Sequence, residues 1–301
     1  MTTARARDDA HDGASAPVAP PPGAADAPLP PAMAAKASDL GAAKAGLDAQ
    51  RTFVLAVLAG AFIALGAMFA TVVTTGGADV PFGINRLAGG VVFSLGLVLV
   101  VVAGAELFTG NNLIVMAWAD RRITLGRLLR NWGIVYAGNL VGAVATALLV
   151  FAARQYEFGD GAVGLNVLAI ADAKASLGWG QAVALGALCN ALVCLAIWLS
   201  YAARSVTDKV LAVIFPITAF VAAGFEHSVA NMYFLPIGLL VKEEVPEGAA
   251  HPDLTWSNAL LDNLVPVTLG NIFGGAVMVG LVYWLVYRRP AGRPQGDRPA
   301  R

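Results

Sequence analysis

Of the three histidines, only His227 lies inside a long apolar stretch; His11 belongs to an Ala/Pro-rich tail and His251 to a polar loop. An imidazole changes charge close to neutral pH, which makes it the natural proton handler. At bilayer depth a fixed charge costs of order 2.5–3.5 kcal/mol on insertion scales, so an ionisable group there marks a pathway by default. Histidine can avoid that cost by staying neutral, and a core imidazole bonded to Asn190 or Thr109 is the plainer alternative. His227 sits in a polar interruption, Gly224-Phe225-Glu226-His227-Ser228-Val229-Ala230-Asn231. A second interruption, Gly104-Ala105-Glu106-Leu107-Phe108-Thr109-Gly110-Asn111, repeats the pattern Gly-x-Glu-x-x-x-x-Asn. Glu106 and Glu226 can accept hydrogen bonds from backbone donors freed by a helix break. Each therefore reads as scaffold of its own break, with Asn111 and Asn231.

The elements that must position these residues are apolar blocks at roughly 52–74, 86–118, 131–153, 181–203, 209–240 and 263–287. The second and fifth are too long for one straight span, and each carries one interruption near its middle. Freed backbone at that depth is tolerated only where it lines a protein cavity. The spans that follow also match: Asn131 leads to Gly138-Asn139 and Gly142-Ala143, Asn263 to Gly270-Asn271 and Gly275-Ala276. Gly60-Ala61 and Gly186-Ala187 form a weaker echo in the first and fourth spans. Two halves of three spans, about 40–155 and 170–289, must then lie upside down to each other, an inverted repeat. The expected fold is an all-α integral membrane protein of six spans with the second and fifth broken. Half-helix N-termini would meet at mid-depth, where their positive ends favour anions.

Composition agrees. Hydrophobic residues make up 57% of the chain and charged ones 13%, against about 25% charged in a soluble domain. A formal net charge of zero gives no argument for a nucleic-acid partner. Cys189 and Cys194 lie in one apolar block and read as small buried residues, and no metal site, cofactor or enzyme motif is expected. Residues 1–38 read as a disordered cytoplasmic tail and 290–301 as a short basic one, flanking a membrane domain over 39–289. Arg121, Arg122, Arg127, Arg130, Arg204, Lys209 and the basic C-terminus outweigh Arg86, Arg154, Lys174 and Lys242 on the other side. The positive-inside rule then places both termini in the cytoplasm.

Phe93-Ser94-Leu95-Gly96-Leu97, both interruptions, Asn131-Trp132, Tyr136-Ala137-Gly138-Asn139 and the run Asn263 to Asn271 together resemble the formate/nitrite transporter family over roughly residues 40–289. The resemblance implies an aquaporin-like protomer, assembled as a homopentamer in a bacterial-type inner membrane, that carries small monovalent anions such as formate or nitrite. It implies that His227 is the central histidine with Thr109 and Asn190 as polar neighbours. Hydrophobic constrictions would draw on Phe93, Leu97, Leu107, Phe108, Val193 and Phe220, and Lys174 would draw anions into the outer vestibule. Glu106 and Gly110-Asn111 combine features of formate-type and nitrite-type members. A pore for uncharged solutes such as glycerol is the alternative; against it stands the absence of an Asn-Pro-Ala pair at the breaks. A bare anion in a dry passage costs tens of kcal/mol, whereas protonating a carboxylate of pKa about 4 at pH 7 costs about 4 kcal/mol. Neutralisation near His227 is the cheaper route.

Overall fold

The structure, a computed structural model, describes residues 27–77 and 80–289. Its helices are α1 (Pro30–Gly46), α2 (Ala49–Thr74), α3 (Phe82–Ala103), α4 (Val115–Ala119), α5 (Leu125–Ala152), α6 (Ala162–Ala175), α7 (Trp179–Ala202), α8 (Val206–Ala223) and α9 (Ser228–Glu244). A last helix covers Asn258–Tyr287, with π-helical turns at Asn258–Leu264 and Phe273–Leu281. Among the described residues there is no strand. Among the described residues six helices are long and apolar enough to cross a membrane: α2, α3, α5, α7, α8 and the last. Their outer faces are apolar, with Phe215 and Leu149 more than 70% exposed. That is a surface for lipid or for another protomer, not for water.

The breaks fall where the polar interruptions predict. Gly104 and Gly224 end α3 and α8 with φ of 83° and 77°, the left-handed conformation that glycine adopts without a Cβ penalty. In each case the next amide bonds back to the helix, Ala105 N–H to the Val100 carbonyl and Phe225 N–H to that of Phe220. Two residues after each glycine the chain is held by a neighbouring span: Glu106 N–H donates to Leu55 O, and Glu226 N–H to Leu185 O. The chain turns helical again through a short 3-10 segment, Gly110–Ile114, ahead of α4, and directly into α9 on the other side. No break leaves these donors stranded in hydrocarbon.

Three sequence expectations need correction. The expected disordered tail reaches residue 38, yet α1 begins at Pro30. The proline fits the first helical turn, where no amide partner is required, and the Ala-rich run after it favours helix. Met33, Ala34, Ala37, Ser38, Gly41 and Ala45 form one buried face, packed with Ile114 and Ala117. Residues 1–26 of that tail, and the expected basic tail at 290–301, lie outside the described residues. Second, α6 precedes α7 as α1 precedes α2, so the halves run from α1 and from α6, and not from about 40 and 170. Third, the Gly60 and Gly186 echo is out of register, and the match of Gly142-Ala143 with Gly275-Ala276 is off by one, Gly142 corresponding to Gly274. A Cβ on Gly142 would lie 1.9 Å from the Val57 carbonyl oxygen, and one on Gly274 would lie 2.0 Å from that of Ala187. Val57 therefore matches Ala187, Gly186 matches Ala56, and Gly60 matches Asn190.

Asp120, at the end of α4, ties this region to the last helix and to α1. It accepts from Trp284 Nε1 (2.8 Å) and Arg288 Nε (3.0 Å). Burial raises its carboxyl, but hydrogen bonds from Ser38, Arg288 and Trp284 and the Arg288 charge outweigh that and hold it below the usual 3.8. A depressed carboxyl stabilises the fold above its unfolded-state value and loses that contribution as pH falls through the folded-state value. The melting temperature in detergent is therefore expected to drop as pH falls below about 4, and Asp120→Asn should flatten that part of the profile. An unchanged slope would remove Asp120 as its source.

Candidate functional site

Each break is built around a carboxylate. Glu106 pairs with Lys44 of α1 at 2.9 Å and accepts from Asn111 Nδ2 at 2.6 Å; the same Nδ2 donates to Asn131 Oδ1. Glu226 pairs with Lys174 of α6 at 2.7 Å and accepts from Asn231 Nδ2 at 2.6 Å, which also donates to Asn263 Oδ1. Asn131 and Asn263 donate in turn to the backbone carbonyls of Lys44 and Lys174. The two clusters are the same lysine, glutamate and two asparagines on inverted halves. Sequence reasoning missed Lys44. Its signal was its place: each lysine lies five residues ahead of the helix that follows it, α2 or α7.

A second asparagine on each third span completes the break. Asn139 accepts from Phe108 N–H (2.9 Å) and donates to the carbonyls of Ala56 and Glu106. Asn271 accepts from Ser228 N–H (2.9 Å) and donates to the carbonyls of Gly186 and Glu226. Asn139→Leu would strand three buried groups at about 1–3 kcal/mol each. A melting temperature lowered by more than about 10 °C is expected; a shift within about 2 °C would mean that water satisfies the break.

The halves differ one residue past each glutamate: Leu107 in one, His227 in the other. His227 is the N-cap of α9, and its Nδ1 accepts from Ala230 N–H at 3.1 Å. A neutral ring that accepts at Nδ1 carries its proton on Nε2. Nε2 lies 2.9 Å from Thr109 Oγ1 and so donates to it, leaving the threonine hydroxyl proton free to point elsewhere. Asn190 makes no hydrogen bond to the ring. Its Nδ2 donates to Thr109 O (3.3 Å), Asn112 Oδ1 (3.1 Å) and Asn271 O (2.7 Å), joining both breaks. The helix N-terminus expected to offer free donors is partly occupied, since Ser228 and Ala230 already donate to Asn271 and His227.

Two cavities approach this point from opposite sides. One, of about 570 Å³, is lined by Arg86, Phe93, Lys174, Phe220, Glu226 and His227 among others. The other, of about 360 Å³, lies on the α1 side, lined by Lys36, Lys44, Glu106, Leu107, Asn111 and Lys209 among others. Leu97 and Val193 are buried and line neither cavity. Phe93 meets Phe220 edge to face at 5.6 Å, and Phe220 stacks on the His227 ring at 5.8 Å. Phe108 turns away, packing edge-on against Tyr136 and Trp132 of α5. Lys174, expected as a vestibule cation, is engaged by Glu226.

The formate/nitrite transporter family matches residues 31–285. The chain belongs to that family. It is similar to the formate channel FocA of Escherichia coli K12, 47% identical over 272 residues that cover 87% of this chain and 95% of that protein. The formate channel FocB of the same organism is 38% identical, covering 88% and 96%. A solved pentameric formate channel with formate bound has a TM-score of 0.75 at 46% identity, covering 79% of this chain and 97% of that one. This formate/nitrite transporter family member is thus a multi-pass membrane protein with the fold its halves dictate, and its relatives are channels and transporters.

Proposed function

We propose that the protein moves formate and similar weak-acid anions across the membrane, and that a proton joins the anion near His227 so that the neutral acid crosses the apolar wall. The observation that carries this reading is the His227–Thr109 pair, whose imidazole lines a cavity together with Arg86, Lys174 and the apolar Phe93 and Phe220; Leu97, Leu107 and Val193 are assigned to the wall beyond it. A naked anion in that wall faces a desolvation cost of tens of kcal/mol; protonation at pH 7 costs about 4 kcal/mol. The Thr109 hydroxyl, relieved of donating to the ring, is oriented to donate to a carboxylate. Ring protonation would set a second N–H against Ala230 N–H, so an imidazolium here gives its proton up readily. Five such protomers assemble with one pathway each, the apolar outer faces meeting lipid and neighbouring protomers. Both termini lie on the cytoplasmic side of a bacterial inner membrane.

The test is uptake into vesicles containing the purified protein, with formate, nitrite, hydrosulfide, acetate, lactate and glycerol at two pH values. Saturable formate uptake that rises with an inward proton gradient is expected, with no glycerol-driven swelling. Glycerol passage without formate uptake would move the protein to the uncharged-solute class.

A further inference from the structure

We infer that Arg86, not Lys174, is the charge that captures the anion in the cavity facing His227. The inference rests on the anion-transport reading above. Four residues that can carry charge line that cavity: Arg86, Lys174, Glu226 and His227. Lys174 and Glu226 form a pair at 2.7 Å with side-chain exposures of 14% and 6%, and the Lys174 ammonium also lies 5.3 Å from the Phe234 ring centroid. An approaching anion meets that pair as a dipole, because the carboxylate cancels most of the lysine's long-range field. Among the described residues that line the cavity, and with His227 neutral, the net charge is that of Arg86.

The geometry fixes the guanidinium there. Arg86 projects from the first turns of α3, and its Nε and Nη2 donate to the Ala222 and Val221 carbonyls at the C-terminal end of α8 (3.0 and 2.7 Å). A guanidinium has five N–H donors in a planar fork, so three remain to meet a carboxylate at the cavity wall. Gly224, which opens the break, leaves the room: a Cβ there would lie 2.9 Å from Arg86 Nη2. The residue thus caps α8 and presents a cation one break away from His227. Its expected contribution is to local anion concentration, not to passage of the wall.

Arg86→Gln, Arg86→Lys and the wild type are compared in vesicles for initial formate uptake against concentration, at low and high ionic strength. For Arg86→Gln the half-saturating concentration is expected to rise about fivefold to tenfold, its dependence on ionic strength to flatten, and the maximal rate to stay within about twofold. Arg86→Lys keeps the charge with a poorer cap, and it should hold wild-type half-saturation within about twofold. An Arg86→Gln protein with wild-type half-saturation and salt dependence overturns the inference while leaving formate transport intact; a wild type that moves no formate fails the underlying reading instead. Should Arg86→Gln not assemble, Arg86→Lys decides alone. Half-saturation raised tenfold despite the retained charge would make Arg86 a helix cap only.

Discussion

His227→Phe is expected to cut proton-driven formate uptake by about a hundredfold or more, the usual scale for losing a positioned proton-transfer group. Phenylalanine keeps the ring against Phe220 but removes both the donor to Thr109 and the acceptor for Ala230 N–H. A loss in that variant alone could therefore reflect a disturbed α9 N-terminus. His227→Asn separates the two causes. Asparagine is a good N-cap, able to accept from Ala230 N–H through Oδ1 and donate to Thr109 through Nδ2, yet it does not titrate. The Asn variant should melt close to the wild type, carry formate at rates nearly independent of the pH gradient, and lose the same hundredfold in driven uptake. Wild-type coupling in His227→Asn would mean the proton reaches formate without the imidazole.

Much of this pathway was legible because the breaks violate what a span should contain. Carboxylates and asparagines at mid-block, repeated at one spacing, point to paired unwound segments, and the structure breaks α3 and α8 at the two glycines that open them. Single-residue asymmetry was legible too, since the residue after each glutamate can be compared directly. What stayed hidden depends on contacts with no local signature. Nothing in the run Pro30–Gly46 says that its small residues bury against Ile114 and Ala117, so its first part, up to residue 38, reads as tail. Once α1 is missed, its repeat mate α6 has no counterpart, and Lys44 looks like a stray charge ahead of the first span. The Gly60 echo failed because a Gly-Ala dipeptide is common in apolar helices. The close approaches at Gly142 and Gly274, with the bonds from Asn139 to Ala56 and from Asn271 to Gly186, reveal which residues face one another. Asn190 was expected beside the imidazole. Its side chain instead bridges Thr109, Asn112 and Asn271, a role that requires knowing that both breaks converge on α7.

Lys174→Met is expected to damage the fold severely. It leaves the Glu226 carboxylate buried with only asparagine amides for partners, at a cost of about 3–5 kcal/mol for an orphaned buried charge. Glu226→Gln alone strands the Lys174 ammonium instead, and turns an amide towards it. The double variant Lys174→Met, Glu226→Gln removes both charges, while glutamine Oε1 can still accept from Asn231 and Asn263. It should recover most of the melting temperature lost in either single variant, because a neutral, well-packed replacement of a buried pair is often no worse than the pair. The same cycle at Lys44 and Glu106 should give a smaller coupling, since Lys44 is 32% exposed where Lys174 is 14% and water can take over part of its solvation. If Arg86 supplies the capturing charge, the double variant at Lys174 and Glu226 should also keep the salt dependence of formate uptake, because it deletes a dipole and not a net charge. Additive single-site losses with no recovery in the double variant would mean that the two side chains act independently, Glu226 through its bonds from Asn231 and Asn263 and Lys174 through its approach to the Phe234 ring, and not as an ion pair.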